Sequence, residues 1–149
     1  MSEHSPLLLE LVSEAQLRSI EYFELTAKRD PSRSDDPANE GDPALQPEYT
    51  LAIDMGQDRT TFRLRLRIAL ATPRGTIEVE AAAEYTAGDF PPGDLTPTLL
   101  AEYANEVGVM AVLPYLRQAI ADLTQRVFGA SLLMPIIPRG TLAFSVDSA

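Results

Sequence analysis

Few residues in this sequence have types that could carry out chemistry. His4 is the only histidine, and the chain contains no cysteine. These counts exclude a cysteine nucleophile and a thiolate zinc site, and they leave too little material for a histidine triad. The sequence also lacks the G-x-S-x-G, G-x-x-x-x-G-K-[ST] and G-x-G-x-x-G motifs. We therefore expect no enzyme activity, no cofactor and no metal site.

Asp54 and Asp58 are the closest approach to a pair of catalytic carboxylates. Asp54, however, falls on the polar side of an alternating stretch, and Asp58 falls in the turn that follows, where aspartate is favoured by its local hydrogen bonding. Asp122 lies off the apolar stripe of a predicted helix. We interpret all three as structural or solvated side chains.

Tyr115 and Arg117 lie in "MAVLPYLRQAIADL", residues 110–123, whose apolar residues follow helical spacing around Pro114. Proline has no amide hydrogen and disfavours helical geometry at the preceding residue, so the pattern predicts a helix break there. We interpret Pro114, Tyr115 and Arg117 as architectural residues that organise this break. The alternative is a packed tyrosine with an arginine lying along the helix.

Three segments in which apolar and polar residues alternate predict an antiparallel sheet: "EYTLAIDMG", "TFRLRLRIALA" and "TIEVEAAAEY". If the turn between the second and third segments is centred on Pro73 and Arg74, the residue numbers of each cross-strand pair sum to 147. This register places the arginines of one strand opposite the glutamates of the next. A turn centred on Gln57 and Asp58 makes the preceding pairs sum to 115. A fourth strand, residues 17–27, is expected to carry a bulge or a change of face between Ile20 and Phe23.

Two helices complete the predicted fold. Ser5 and Pro6 are typical of a helix start, which predicts a short helix over residues 6–15. A helix from Pro97 to Phe128 would be about 48 Å long, although a domain of this size has a radius of gyration near 15 Å. We therefore expect it to break at Gly108 and Pro114 or to pack along a partner subunit.

The composition fits one soluble domain over residues 1–149. We divide it into an N-terminal extension (1–16), a crossover loop (28–47) and a tail (145–149) around the predicted elements. Twelve basic and 22 acidic residues give a net charge of −10, which disfavours nucleic acid and anionic membranes as partners. Without a secretory signal or a long apolar stretch, we expect a cytoplasmic protein that does not insert into membranes.

The segments "EYTAGDF" and "LPYLRQAIADLTQRVFGASLLMPIIP" resemble the SecB family of export chaperones. The order of strand, crossover loop, three-stranded meander and long helix is similar as well. The matching positions are Glu84, Gly88, Asp89, Phe90, Leu113, Pro114, Tyr115, Arg117, Ile120, Leu123, Thr124, Pro135 and Pro138.

The resemblance implies an α+β fold in which a four-stranded antiparallel sheet carries a long broken helix on one face and a short N-terminal helix. It implies a homotetramer, formed as a dimer of dimers. The implied activity is ATP-independent holding of unfolded clients in apolar grooves, either preproteins for export or, in a branch of the family, the antitoxin of a toxin–antitoxin system. Export would continue with delivery to the SecA motor.

By the same resemblance, the client groove lies near the crossover loop and the C-terminal segment. Each apolar residue there could instead simply cover the core. The expected client-binding residues are Leu45, Leu132, Leu133, Met134, Ile136, Ile137 and Phe144.

Acidic residues on the outer sheet face dock SecA in the export chaperones. The corresponding residues here are Glu24, Glu78, Glu80 and Glu84, but Arg63, Arg65 and Arg67 on the same face offset their charge and argue against docking.

Two other functions remain open from the sequence alone. A curved antiparallel sheet around a long helix also describes hot-dog enzymes and carriers for apolar small molecules, which would require a closed pocket with a buried acid. A purely structural oligomer is the third reading.

Overall fold

A computed structural model of the chain describes residues 5–31 and 47–134. A four-stranded antiparallel sheet has the order β1-β4-β3-β2, with helices on one face. We call the helix-covered face the inner face and the opposite one the outer face. The elements are α1 (Pro6–Glu14), β1 (Gln16–Arg29), β2 (Glu48–Met55), β3 (Thr61–Thr72), β4 (Gly75–Thr86), a 3₁₀ turn (Pro92–Asp94), α2 (Pro97–Tyr103), a π-helical turn (Ala104–Gly108) and α3 (Val109–Phe128).

The predicted register is confirmed for β3 and β4 and wrong for β2 and β3. Leu70 pairs with Ile77, as expected. Ile53 pairs with Leu64 rather than with Phe62, so the numbers sum to 117. The connection spans residues 56–60, where Asp58 accepts hydrogen bonds from the amide and hydroxyl of Thr60. This longer loop moves the register by two residues, which leaves every side chain on its expected face.

Strand β1 is longer than predicted and is bulged twice. It runs to Arg29, so Lys28 and Arg29 belong to the strand rather than to the crossover loop. One register shift lies between Tyr22 and Glu24, close to the expected position, and a second lies between Leu17 and Ser19. The bulge places Phe23 on the outer face, where its ring lies near the guanidinium groups of Arg63 and Arg65.

The core lies between the inner face and the helices. Alternate residues of β3 and β4 are buried there, and α3 contributes a buried stripe. The largest fully buried side chains are Phe62, Leu11, Leu64, Leu66, Ile68, Ile77, Leu95, Leu100, Leu113, Leu116, Ile120 and Val79.

The long helix does not break at Pro114, which corrects the predicted interruption. Pro114 lies inside α3, and helical structure continues from Pro97 to Phe128. Loss of a helical hydrogen bond at proline costs about 3 kcal/mol, but Leu113 and Leu116 on either side are buried, and a buried leucine contributes about 1.5–3 kcal/mol. Because Pro114 is exposed, the interrupted bond is at the surface.

Gly108 changes the helix without breaking it. It ends the π-helical turn, in which the amide of Val109 donates to the carbonyl of Ala104. A Cβ atom on Gly108 would lie 2.1 Å from Cδ1 of Leu64. A larger residue here would force the Leu64 side chain to shift, so glycine allows the helix to pack closely on β3.

The segment "EYTAGDF" joins the sheet to α1. Gly88 has a φ of 61°, and a Cβ atom on it would lie 2.7 Å from the carbonyl oxygen of Glu14. The amide of Asp89 donates to the Glu14 carboxylate, and Phe90 is buried. The residues of this predicted motif thus hold the end of α1 against the sheet.

Candidate functional site

The outer face carries a network of ion pairs centred on the arginines of β3. Asp54 accepts hydrogen bonds from Nε of Arg63 at 3.2 Å and from Nε of Arg65 at 2.8 Å. Burial raises the pKa of Asp54, but the hydrogen bonds and charges of these two arginines outweigh it and leave the pKa below its usual value. Asp54 is therefore a structural partner, as expected, although it is paired rather than solvated.

The acidic residues proposed for SecA docking are mostly engaged by the same arginines. Arg67 pairs with Glu24 and, at 3.1 Å, with Glu78; the hydrogen bond from Arg67 is the main reason that the pKa of Glu24 is lowered. Arg65 pairs with Glu80 at 3.1 Å. Arg63 pairs with Asp54 and not with its register partner Glu84. Three of the four glutamates proposed for docking are thus paired with an arginine.

The chain turns back along α3 where that helix ends. Gly129 adopts a left-handed conformation with a φ of 84°, which ends the helix. The amide of Leu132 then donates to Oγ1 of Thr124 at 2.7 Å. That hydroxyl, fully buried, donates in turn to the carbonyl of Ile120. We call residues 129–134 the return segment.

Arg117 fixes the end of the return segment. Its Nε and Nη2 atoms donate to the carbonyl oxygen of Met134 at 3.2 and 3.1 Å. These bonds tie Arg117 to the returning chain rather than to a helix break; its architectural role stays a prediction.

An open pocket of about 150 Å³ lies between α3 and the return segment. Leu133 on its rim is 77% exposed, whereas Met134 is only 7% exposed. The lining residues are Pro114, Arg117, Gln118, Ala121, Leu133 and Met134.

A row of exposed apolar residues lies on the inner side of the β1 edge and was not predicted as a site. Leu17, Tyr22 and Leu25 are each close to half exposed, and their partners in β4 all face the core. The hydroxyl of Tyr22 donates to the carbonyl oxygen of Tyr115 at 3.3 Å, which joins β1 to the part of α3 that contains Pro114. We call this row, together with the pocket and Leu133, the inner rim.

The structure brings Leu132, Leu133 and Met134 to one place beside α3, and their contact with a client stays a prediction. Only Leu133 offers substantial surface in this arrangement. Leu45, Ile136, Ile137 and Phe144 lie outside the described residues. The sequence does contain the apolar residues of the β1 row, on both sides of the bulge. It does not show that β1 is an edge strand, because that depends on the strand order.

The described residues do not favour a hot-dog enzyme or carrier. Apart from the tyrosines Tyr85 and Tyr103, Thr124 is the sole buried polar or charged side chain in residues 5–31 and 47–134, so no buried carboxylate lies among them. Those residues also contain no group of three potential metal ligands. None of the helices described is long and apolar enough to cross a membrane.

Comparison with known proteins supports the resemblance to SecB. The chain is 26% identical over 142 residues to SecB-like chaperone SmegB of Mycolicibacterium smegmatis, covering 94% of this chain and 88% of the relative. Its fold matches the Mycobacterium tuberculosis Rv1957 SecB-like chaperone, solved in complex with a ChAD peptide from the Rv1956 HigA1 antitoxin. That match has a TM-score of 0.73 and 25% identity, and covers 91% of this chain and 99% of the other. No family model matches the chain.

Proposed function

We propose that this chain, a homologue of the SecB-like chaperones with the SecB-like fold, is an ATP-independent holdase that binds extended segments of unfolded proteins. The observation that carries the proposal is the inner rim. It offers exposed apolar side chains beside a sheet edge, which suit an extended apolar segment without requiring a strict sequence. Client contact is assigned to Leu133 and the β1 row, with Leu132 and Met134 on either side of Leu133.

An antitoxin is the client class best supported. The structurally similar Rv1957 chaperone is in complex with an antitoxin peptide. Docking to SecA is less well supported, because arginines pair with Glu24, Glu78 and Glu80 on the outer face. Client contact by Leu45, Ile136, Ile137 and Phe144, a homotetrameric assembly and a cytoplasmic location belong to the same proposal.

Suppression of aggregation tests the holdase function. We expect the purified chain, at stoichiometric amounts, to prevent aggregation of a chemically unfolded client, equally with and without ATP. Failure to protect several unrelated unfolded proteins and an antitoxin would contradict the proposal. Light scattering gives the aggregation rate, and size-exclusion chromatography with multi-angle scattering gives the oligomeric state.

Two substitutions on β1 test the assigned surface. Leu25 on the inner face is 48% exposed and Phe23 on the outer face is 44% exposed, so they form a matched pair. We expect Leu25→Ser to weaken binding of a fluorescent unfolded peptide by about fivefold to tenfold, through loss of apolar contact. Phe23→Ser should leave the affinity unchanged. The opposite ranking would move the client surface to the outer face.

A further inference from the structure

We infer that Thr124 and Arg117 are positioning residues, which fix the backbone on both sides of Leu133 and so present its side chain to the client in one conformation. The inference rests on the proposed holdase function and gives two residues of α3 a part in it. Leu133 is 77% exposed, more than any other large apolar side chain in residues 5–31 and 47–134.

The backbone before Leu133 is bonded to α3 through Thr124. The amide of Leu132 donates to Oγ1 of Thr124 at 2.7 Å, and the same hydroxyl donates to the carbonyl oxygen of Ile120 at 2.7 Å. Thr124 is fully buried, so water does not compete for these bonds. The position of Leu132 is therefore set by the helix.

The backbone after Leu133 is bonded to the same helix through Arg117, whose Nε and Nη2 atoms both donate to the carbonyl oxygen of Met134. Arg117 and Thr124 are seven residues apart on α3, which is about 10 Å along the helix axis. Three extended residues span about the same distance. Residues 132–134 therefore run along α3 with little slack.

Exposure alternates along these three residues. Met134 is 7% exposed and Leu132 packs against the core, whereas Leu133 between them is mostly exposed. Successive side chains of an extended segment point to opposite sides, so the bonds to its two neighbours leave Leu133 directed away from the core. Leu133 also lines the pocket beside α3, together with Pro114 and Ala121. One apolar client side chain can contact Leu133 and the pocket wall at once.

A backbone that is fixed before the client arrives favours binding. If the return segment had to be ordered during binding, the lost conformational freedom would lower the affinity. The contribution of Leu133 to client affinity should therefore depend on Thr124 and Arg117. Thr124 has no exposed surface with which to contact a client, so any effect of its hydroxyl on affinity acts through the return segment.

A double-mutant cycle gives the first test, with a fluorescein-labelled peptide of alternating leucine and serine as the probe. In the unmodified chain, we expect Leu133→Ala to weaken binding about tenfold. Arg117→Lys retains the charge but loses the two-bond fork, and in this background the same truncation should cost less than about threefold. Arg126→Lys is the matched control on the same helix, with a side chain that is 73% exposed, and should retain the full loss.

The outcomes of the cycle separate the inference from the function on which it rests. An equal loss in all three backgrounds, or no loss in any, would overturn the inference, while the holdase function stands. Absence of peptide binding by the unmodified chain would overturn the proposed function itself.

Substitutions of Thr124 give a second test. Thr124→Val removes the hydroxyl at constant shape and should weaken peptide binding about threefold, with circular dichroism showing that the fold is retained. Thr124→Ser retains the hydroxyl and should recover most of the affinity. Binding by Thr124→Val as tight as by the unmodified chain would overturn the inference.

Amide hydrogen exchange of the unmodified chain gives a third test, which holds even if a variant folds poorly. Since the Leu132 amide is bonded to a buried hydroxyl, we expect it to exchange at least about 100-fold more slowly than in an unfolded peptide, without any client present. Exchange at the rate of an unfolded peptide would show that the return segment is not fixed and would overturn the inference.

Discussion

The two faces of the sheet use the same strands for different purposes. On β3, Leu66 is buried against the helices, whereas its neighbours Arg65 and Arg67 lie on the outer face, each with a side chain about one-third exposed. The inner face buries apolar side chains against the helices, and this burial is the dominant source of folding free energy. The outer face carries ion pairs, which contribute little individually. Exposed apolar residues remain where the inner face ends, at the edge strand β1 and beside α3.

Truncation within the inner face should have the largest effect on stability. Leu66→Ala removes a fully buried side chain and is expected to lower the free energy of unfolding by about 2–5 kcal/mol. Urea denaturation followed by circular dichroism measures the change. A loss no larger than that of an outer-face arginine variant would break the distinction between the faces.

Close packing of the helix on the inner face gives the next largest effect. Gly108→Ala places a Cβ atom against Leu64 and should cost about 1–3 kcal/mol through overpacking. Gly93→Ala is the control, because a Cβ atom there would meet nothing within 4 Å, and it should change stability by less than about 0.5 kcal/mol. Thermal or urea unfolding compares the two variants; equal stability would contradict the packing at Gly108.

Loss of one outer-face ion pair should have the smallest effect, and it should depend on pH. Asp54→Asn is expected to cost less than about 1 kcal/mol at neutral pH. Because the folded state lowers the pKa of Asp54 from 3.8, its stabilising contribution is present above that value and is lost as the pH falls through the lower folded pKa. Unfolding curves of both proteins should therefore converge in acid. A difference that grows below pH 4 would contradict this sign.

The sequence predicted the parts of the fold that two constraints determine together. Residues of β3 and β4 must match on both faces, which excludes a one-residue slip, and Pro73 and Arg74 form the expected two-residue turn between the paired residues Thr72 and Gly75, which excludes a shift of two. The β2–β3 register was wrong because a shift of two residues conserves both faces, and only the loop geometry distinguishes the alternatives. The helix break at Pro114 was wrong because burial of Leu113 and Leu116 outweighs one missing hydrogen bond.

The candidate site was only partly predictable. The return-segment residues Leu132, Leu133 and Met134 were predicted as client-binding residues through the family resemblance, but their different exposure depends on how the chain folds back along α3. The bonds from Arg117 to the Met134 carbonyl involve a backbone acceptor, and backbone acceptors have no sequence signature. The β1 row required the strand order, which no local pattern supplies.

Site-specific photo-cross-linking tests most directly whether clients bind at the inner rim. A photoreactive amino acid is placed at Leu133 in one protein and at Phe23, on the outer face, in another. Each protein is mixed with a labelled unfolded client and irradiated. We predict strong cross-linking to the client from position 133 and little from position 23. Strong cross-linking from position 23 with none from position 133 would contradict the account.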